Sequence, residues 1–231
     1  MALTLTDVAR QLNLTGTRLR SGEKTCAPAQ QLPSLIMMTD LRRTHDPVAD
    51  VLRLPSGAAM IFRHYELVPQ SRLALARILR AATRARRVKL LIADDMRMAL
   101  EVRADGVHFS ERALARAGTR LRRLPDWLIT AAAHSLPALR RAAQAGVTAA
   151  LLSPVFATMS HPGAAPLGML RFAALAQHSP LPVYALGGIT DRTARRLRGG
   201  GAAGIAAIGG LTLRRETAAG SAGDDDFRSL A

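Results

Sequence analysis

The chain has 231 residues, 48% of them hydrophobic, which is enough to bury one sizeable core. Its net charge of +15 is nearly all arginine, since lysine occurs only at Lys24 and Lys89, and its 3% aromatic content leaves few platforms for stacking bases. That balance argues against a nucleic-acid partner and for a solvated, Arg-rich surface that attracts phosphorylated small molecules. No apolar run is long enough to cross a bilayer and the start lacks a signal-peptide pattern, so the expected place is the cytoplasm. The single cysteine, Cys26, offers neither a disulfide framework nor a metal cluster.

Residues 1–30 read as an N-terminal extension or linker, with a short helix over Thr6 to Asn13. From there short aliphatic runs alternate with amphipathic segments, the pattern of a parallel sheet. Strands are predicted at Ser34–Met38, Ala58–Arg63, Val88–Ala93, Gly106–Phe109, Leu128–Ala132, Ala149–Ser153, Val183–Leu186 and Gly204–Ile208. The clearest helix is Ser71–Arg87, with Leu73, Leu75, Ile78 and Leu79 on its apolar side. Ser135 caps a second helix that has Pro137 in its first turn, and Thr190-Asp191 opens the seventh. Eight strands with helices between them make a single (β/α)8 TIM barrel over residues 31–215. In the C-terminal tail, 216–231, the stretch Gly220 to Asp226 is a poor helix start, so the eighth helix is expected to be short or frayed.

Chemistry in such a barrel gathers where the strands end. Gly187-Gly188 and Gly209-Gly210 follow strands seven and eight, and glycine lets an anion approach backbone N–H groups, so these pairs read as a phosphate cradle. The other strand ends supply Arg63, Asp94, Glu111, His134, Thr158, Ser160 and His161. Arg63 closes an apolar strand, where its charge needs an anion or a neighbouring carboxylate. His134, just before a helix cap, either moves a proton or bonds the loop, whereas His108 reads as an inward-facing, satisfied core residue. Lys89 begins its strand and so sits on the wrong face for Schiff-base chemistry.

The segments Met37 to Asp40, Phe62-Arg63, Leu91 to Asp95, Ala104 to His108, Ala133 to Ser135, Ser153 to Thr158, Ala185 to Thr190 and Gly204 to Ile208 together resemble the family of thiamine phosphate synthase and its relative, thiazole tautomerase. The resemblance implies an enzyme of thiamine biosynthesis that couples thiazole phosphate with an aminopyrimidine methyl diphosphate and releases pyrophosphate, with Mg2+ as cofactor. It assigns Arg63 to the diphosphate, Asp94 to the metal, Thr158 and Ser160 to the leaving group, and Gly188 to the thiazole phosphate. Gly209 stands where a phosphate-contacting serine is usual, leaving its backbone N–H. The family's lysines are replaced by Tyr65 and His161, its second metal aspartate by Ala113 with Glu111 as the nearby substitute, its asparagine by Ala93 and a pocket serine by Ala132. Two alternatives stay open: a thiazole tautomerase with His134 as proton shuttle, and a non-catalytic barrel that binds a phosphorylated ligand. Association with further copies of the chain is also left open.

Overall fold

The computed structural model describes residues 5–20 (backbone only over 13–20), 32–117, 121, 126–159, 163 and 165–208. Its strands are β1 (Leu35–Met38), β2 (Ala59–Phe62), β3 (Lys89–Ala93), β4 (Gly106–Phe109), β5 (Leu128–Ala133), β6 (Ala149–Leu152), β7 (Val183–Leu186) and β8 (Gly204–Ala207). Every strand pairs in parallel with the next, and β8 returns to β1 through Leu35–Ile205, Ile36–Ala206 and Met37–Ala207, so the sheet is a closed barrel. The helices are α1 (Leu5–Arg20), α2 (Pro47–Arg53), α3 (Pro69–Arg86), α4 (Met96–Glu101), α5 (Glu111–Ala117), α6 (Leu136–Ala145), α7 (Gly168–Gln177) and α8 (Asp191–Ala194), the last running into a 3-10 turn at Arg195–Leu197. No described helix is long and apolar enough to cross a membrane.

Alternation along each strand divides the core in two. Ile36, Met38, Ile61, Leu91, Leu151 and Tyr184 pack inside the barrel with a set of alanines, while Met37, Met60, Phe62, Leu90 and Ile92 face the helices. Alanine at Ala59, Ala93, Ala149 and Ala206 leaves room inside for the Tyr184 ring, whose hydroxyl donates to the Pro33 carbonyl at 2.5 Å. The interior is therefore filled, and any open space must lie above it.

Several helices start as the sequence indicates. Ser135 caps α6, accepting from the Ala138 N–H, and Thr190 forms a capping box with Thr193 at α8. The face of α3 differs from expectation: Ile78 is exposed, and the buried stripe is Arg72, Ala76, Leu79 and Thr83. The helix turns this way because Arg72 is drawn inward, its Nε donating to the Arg63 carbonyl and a terminal nitrogen to the Ala93 carbonyl. The N-terminal helix is longer than Thr6 to Asn13, and it packs on the barrel through Leu5, Val8, Ala9 and Leu12. The expected eighth helix lies outside the described residues, as do Cys26 and Lys24.

Gly106 opens β4 where the backbone of β5 comes close; a Cβ there would run into the Leu128 carbonyl oxygen. Gly106→Ala should destabilise the protein by about 2 kcal/mol, the usual range for overpacking a closed core. Thermal unfolding checks this, and a variant that melts with the wild type would count against so tight a β4–β5 approach.

Candidate functional site

Above the filled interior, at the C-terminal ends of the strands, lies a cavity of about 770 Å3. Arg63, Asp94, Glu111, His134, Thr158, Gly187 and Gly188, all singled out from sequence, line it together. Ser160, His161, Gly209 and Gly210 lie outside the described residues.

The side formed by β2, β3 and β4 is knitted by its own polar groups. Arg72, nearly buried, bonds the carbonyls that end β2 and β3 and pairs with Asp95 at 3.3 Å. Its guanidinium also stacks near Tyr65, 5.3 Å from the ring centroid, with Arg63 at 5.8 Å from the same ring. The Tyr65 hydroxyl donates to Asp94 Oδ2 at 3.1 Å, while Asp94 Oδ1 accepts the Ser110 N–H at 2.6 Å. Tyr65 is half-exposed as a residue, but burial of its hydroxyl end, followed by the Asp94 charge and hydrogen bond, pushes the phenol up to about 12. It therefore stays protonated and remains a donor. Both Asp94 oxygens are thus engaged by protein donors, and the residue holds a left-handed φ of 55° to reach them.

A second carboxylate of the lining is paired with an arginine. Glu111 accepts from Arg141 at 2.7 Å, and Ala113 on α5 is a half-buried packing residue. Among the described residues no group of three or more His, Cys, Asp or Glu side chains is placed to hold a metal ion. Arg63 forms no ion pair among the described residues, and its guanidinium lies at the cavity 5.8 Å from the centre of the Tyr65 ring.

The opposite side is built by β5, β6 and β7. His134 Nδ1 lies 2.7 Å from the Ser153 carbonyl. A carbonyl only accepts, so Nδ1 carries the proton there and Nε2 is left to exchange one. The Ser153 backbone was missed from sequence because a main-chain acceptor leaves no residue-type signal. The loop after β6 is sewn to β7 by Val155 N–H to Leu186 O and Phe156 N–H to Gly187 O. Gly188 has φ +65°, and a Cβ on it would strike the Ala157 carbonyl and Phe156. The glycine is therefore required by the approach of this loop. Arg196 caps the same region, 5.1 Å from the centre of the Phe156 ring.

Two buried imidazoles support the cavity from below. His108 Nδ1 is 2.9 Å from Thr130 Oγ1, the inward, satisfied arrangement that the sequence suggests. Burial brings its pKa down to about 4, against a smaller opposing effect of Asp94. His64, which carries no sequence signal, bonds Thr39 at 2.9 Å and stacks on Phe62; burial lowers its pKa too.

A family model described as thiamine monophosphate synthase matches residues 35–211. A relative from Aquifex aeolicus is 34% identical over 181 residues, covering 77% of this chain and 97% of that one. A thiamine-phosphate synthase of Chloroflexus aurantiacus is 30% identical, over 77% of this chain and 82% of its own. Among solved structures, a thiamine phosphate pyrophosphorylase from Pyrococcus furiosus superposes with a TM-score of 0.63 at 26% identity, covering 75% of this chain and 84% of that one.

The buried histidines give a pH signature. Both have lowered pKa values in the fold and take up a proton on unfolding below about pH 6.5, so the stability they support is present above that pH and is lost below it, for His108 as the pH falls to about 4. Urea unfolding across that window should show a loss on the order of 3 kcal/mol for His108. The slope should flatten in His108→Gln; an equal slope in that variant would place the dependence elsewhere.

Proposed function

Because this chain belongs to the thiamine monophosphate synthase family, we propose that it acts as a thiazole tautomerase, binding a phosphorylated thiazole and moving one proton on it through His134. The observation that carries this reading is the state of the two carboxylates a magnesium ion would use. Asp94 is engaged on both oxygens by Tyr65 and Ser110, and Glu111 is paired with Arg141. Expelling pyrophosphate needs a metal and cations gathered on the diphosphate; a tautomerisation needs neither. The proposed reaction therefore runs without the metal.

In this reading the backbone at Gly187 and Gly188 holds the phosphate, joined by Gly209 and Gly210, which follow β8 in sequence. The thiazole ring then lies over the cavity floor, within reach of His134. The Ser153 carbonyl keeps the imidazole in one tautomer, so Nε2 takes the proton from a saturated ring carbon and returns it to the exocyclic carbon that is doubly bonded to the ring. One proton moves, the two conjugated double bonds shift so that both lie in the ring, and the aromaticity of the product draws the step forward.

Arg63 favours a second reading, the synthase itself, with Thr158, Ser160 and His161 around the leaving group and Mg2+ on Asp94. A guanidinium that lines the cavity and forms no ion pair among the described residues is a ready contact for a diphosphate. For that reaction Asp94 would hold the metal through a lone pair left beside its bonds to Tyr65 and Ser110.

The deciding experiment runs both reactions on purified protein. The expected result is tautomer conversion with one deuterium taken from D2O, indifferent to EDTA, and slowed at least about 100-fold in His134→Gln, the usual worth of a positioned acid–base group. Thiazole phosphate, aminopyrimidine methyl diphosphate and Mg2+ should yield no thiamine phosphate. Metal-dependent product that vanishes in Asp94→Ala would make the protein a synthase. Binding of thiazole phosphate with neither reaction would leave the non-catalytic barrel.

A further inference from the structure

Helix α1 lies against β8, β1 and α8, in the outer ring where the barrel closes. It runs beside α8 in the same direction. At its start the Leu5 N–H donates to Asp191 Oδ1 at 3.0 Å, and midway along it Arg198 donates to Gln11 Oε1 at 2.8 Å. Its buried stripe, Leu5, Val8, Ala9 and Leu12, is what a helix in this position must present to the sheet. The helix therefore fills the ring position beside β8 from the N-terminal side of the chain, and its first residue arrives at the cavity rim.

Asp191 is the residue it meets there. The carboxylate lines the cavity, three residues beyond Gly188, and Thr190 beside it is tied back to the glycine loop through Thr193, whose hydroxyl donates to the Gly188 carbonyl. A free carboxylate at this place opposes any phosphate held by Gly187 and Gly188. Donation from Leu5 draws the carboxylate toward α1 and offsets part of its charge.

We infer that the Leu5 backbone N–H positions Asp191 and thereby sets the phosphate affinity of the Gly187–Gly188 loop, making α1 a working part of the site. The inference rests on the phosphate reading of that loop. Leu5 is a positioning residue here; it touches no substrate.

The test isolates one hydrogen atom. Proline is tolerated at the first residue of a helix, so Leu5→Pro removes the N–H, while Leu5→Ala removes the same packing and keeps it. Binding of inorganic phosphate to the full chain is measured by calorimetry at low salt, beside the melting temperature of each variant. Leu5→Pro should bind phosphate about fivefold more weakly than Leu5→Ala at a matching melting temperature, the scale of one unscreened charge a few ångströms away. Asp191→Asn added to Leu5→Pro should restore the affinity. Equal affinities of the two Leu5 variants, or no rescue by Asp191→Asn, overturn the inference while leaving the cradle in place. Wild-type protein that binds no phosphate overturns the cradle and this inference with it. If Leu5→Pro does not fold, Asp191→Asn alone decides: tighter phosphate binding supports the inference, and unchanged or weaker binding overturns it.

Discussion

A parallel sheet with free edges leaves two rows of backbone donors and acceptors unpaired, and in this chain the pairing of β1 with β8 removes both rows at once. Closure fixes what the side chains can be. With strands of only four to six residues, the interior holds a few layers, filled by aliphatic residues, alanines, the ring of Tyr184 and the hydrogen-bonded pair of His108 and Thr130. Once that volume is full, polar chemistry has one place left, the end at which the strands stop. The residues found there are Thr39, Arg63, Asp94, Ser110, His134, Ser153 and Gly187, each directly after or just beyond a buried strand residue.

Holding charged groups at that end requires partners, and Arg72 is central to them. A guanidinium so nearly buried is tolerated because it satisfies the carbonyls left exposed where β2 and β3 end, and because Asp95 balances its charge. Those contacts fix the places of Tyr65 and Asp94, and through Asp94 that of Ser110 at the end of β4. The geometry of one side of the mouth is thus a consequence of one arginine on a helix outside the barrel.

Much of the fold is legible from the sequence because each strand is bounded by strong local signals. Buried aliphatic runs end abruptly at Asp94-Asp95, His134-Ser135 and Gly187-Gly188, and every predicted strand lies within a residue of its observed bounds. The face of α3 is less legible, since periodicity assigns apolar side chains to the core and cannot foresee an arginine drawn in to bond two carbonyls. The residues of the site are legible by type and place, their engagements not. Nothing in the identity of Asp94 says that Tyr65 and Ser110 hold it, and nothing in His134 says that a backbone carbonyl sets its tautomer. Such facts depend on atoms brought together from distant segments.

The hydrogen bonds that bind each side of the mouth within itself have a further consequence. Tyr65, Arg72, Asp94 and Ser110 answer to one another, while His134 answers to Ser153 and the β6 loop answers to β7. Substitutions can accumulate in the first set with little effect on the second, because these bonds join residues within one side only. A barrel built this way is a chassis with two separately replaceable fittings, and lineages descending from one ancestor can exchange one chemistry for another by refitting a single side.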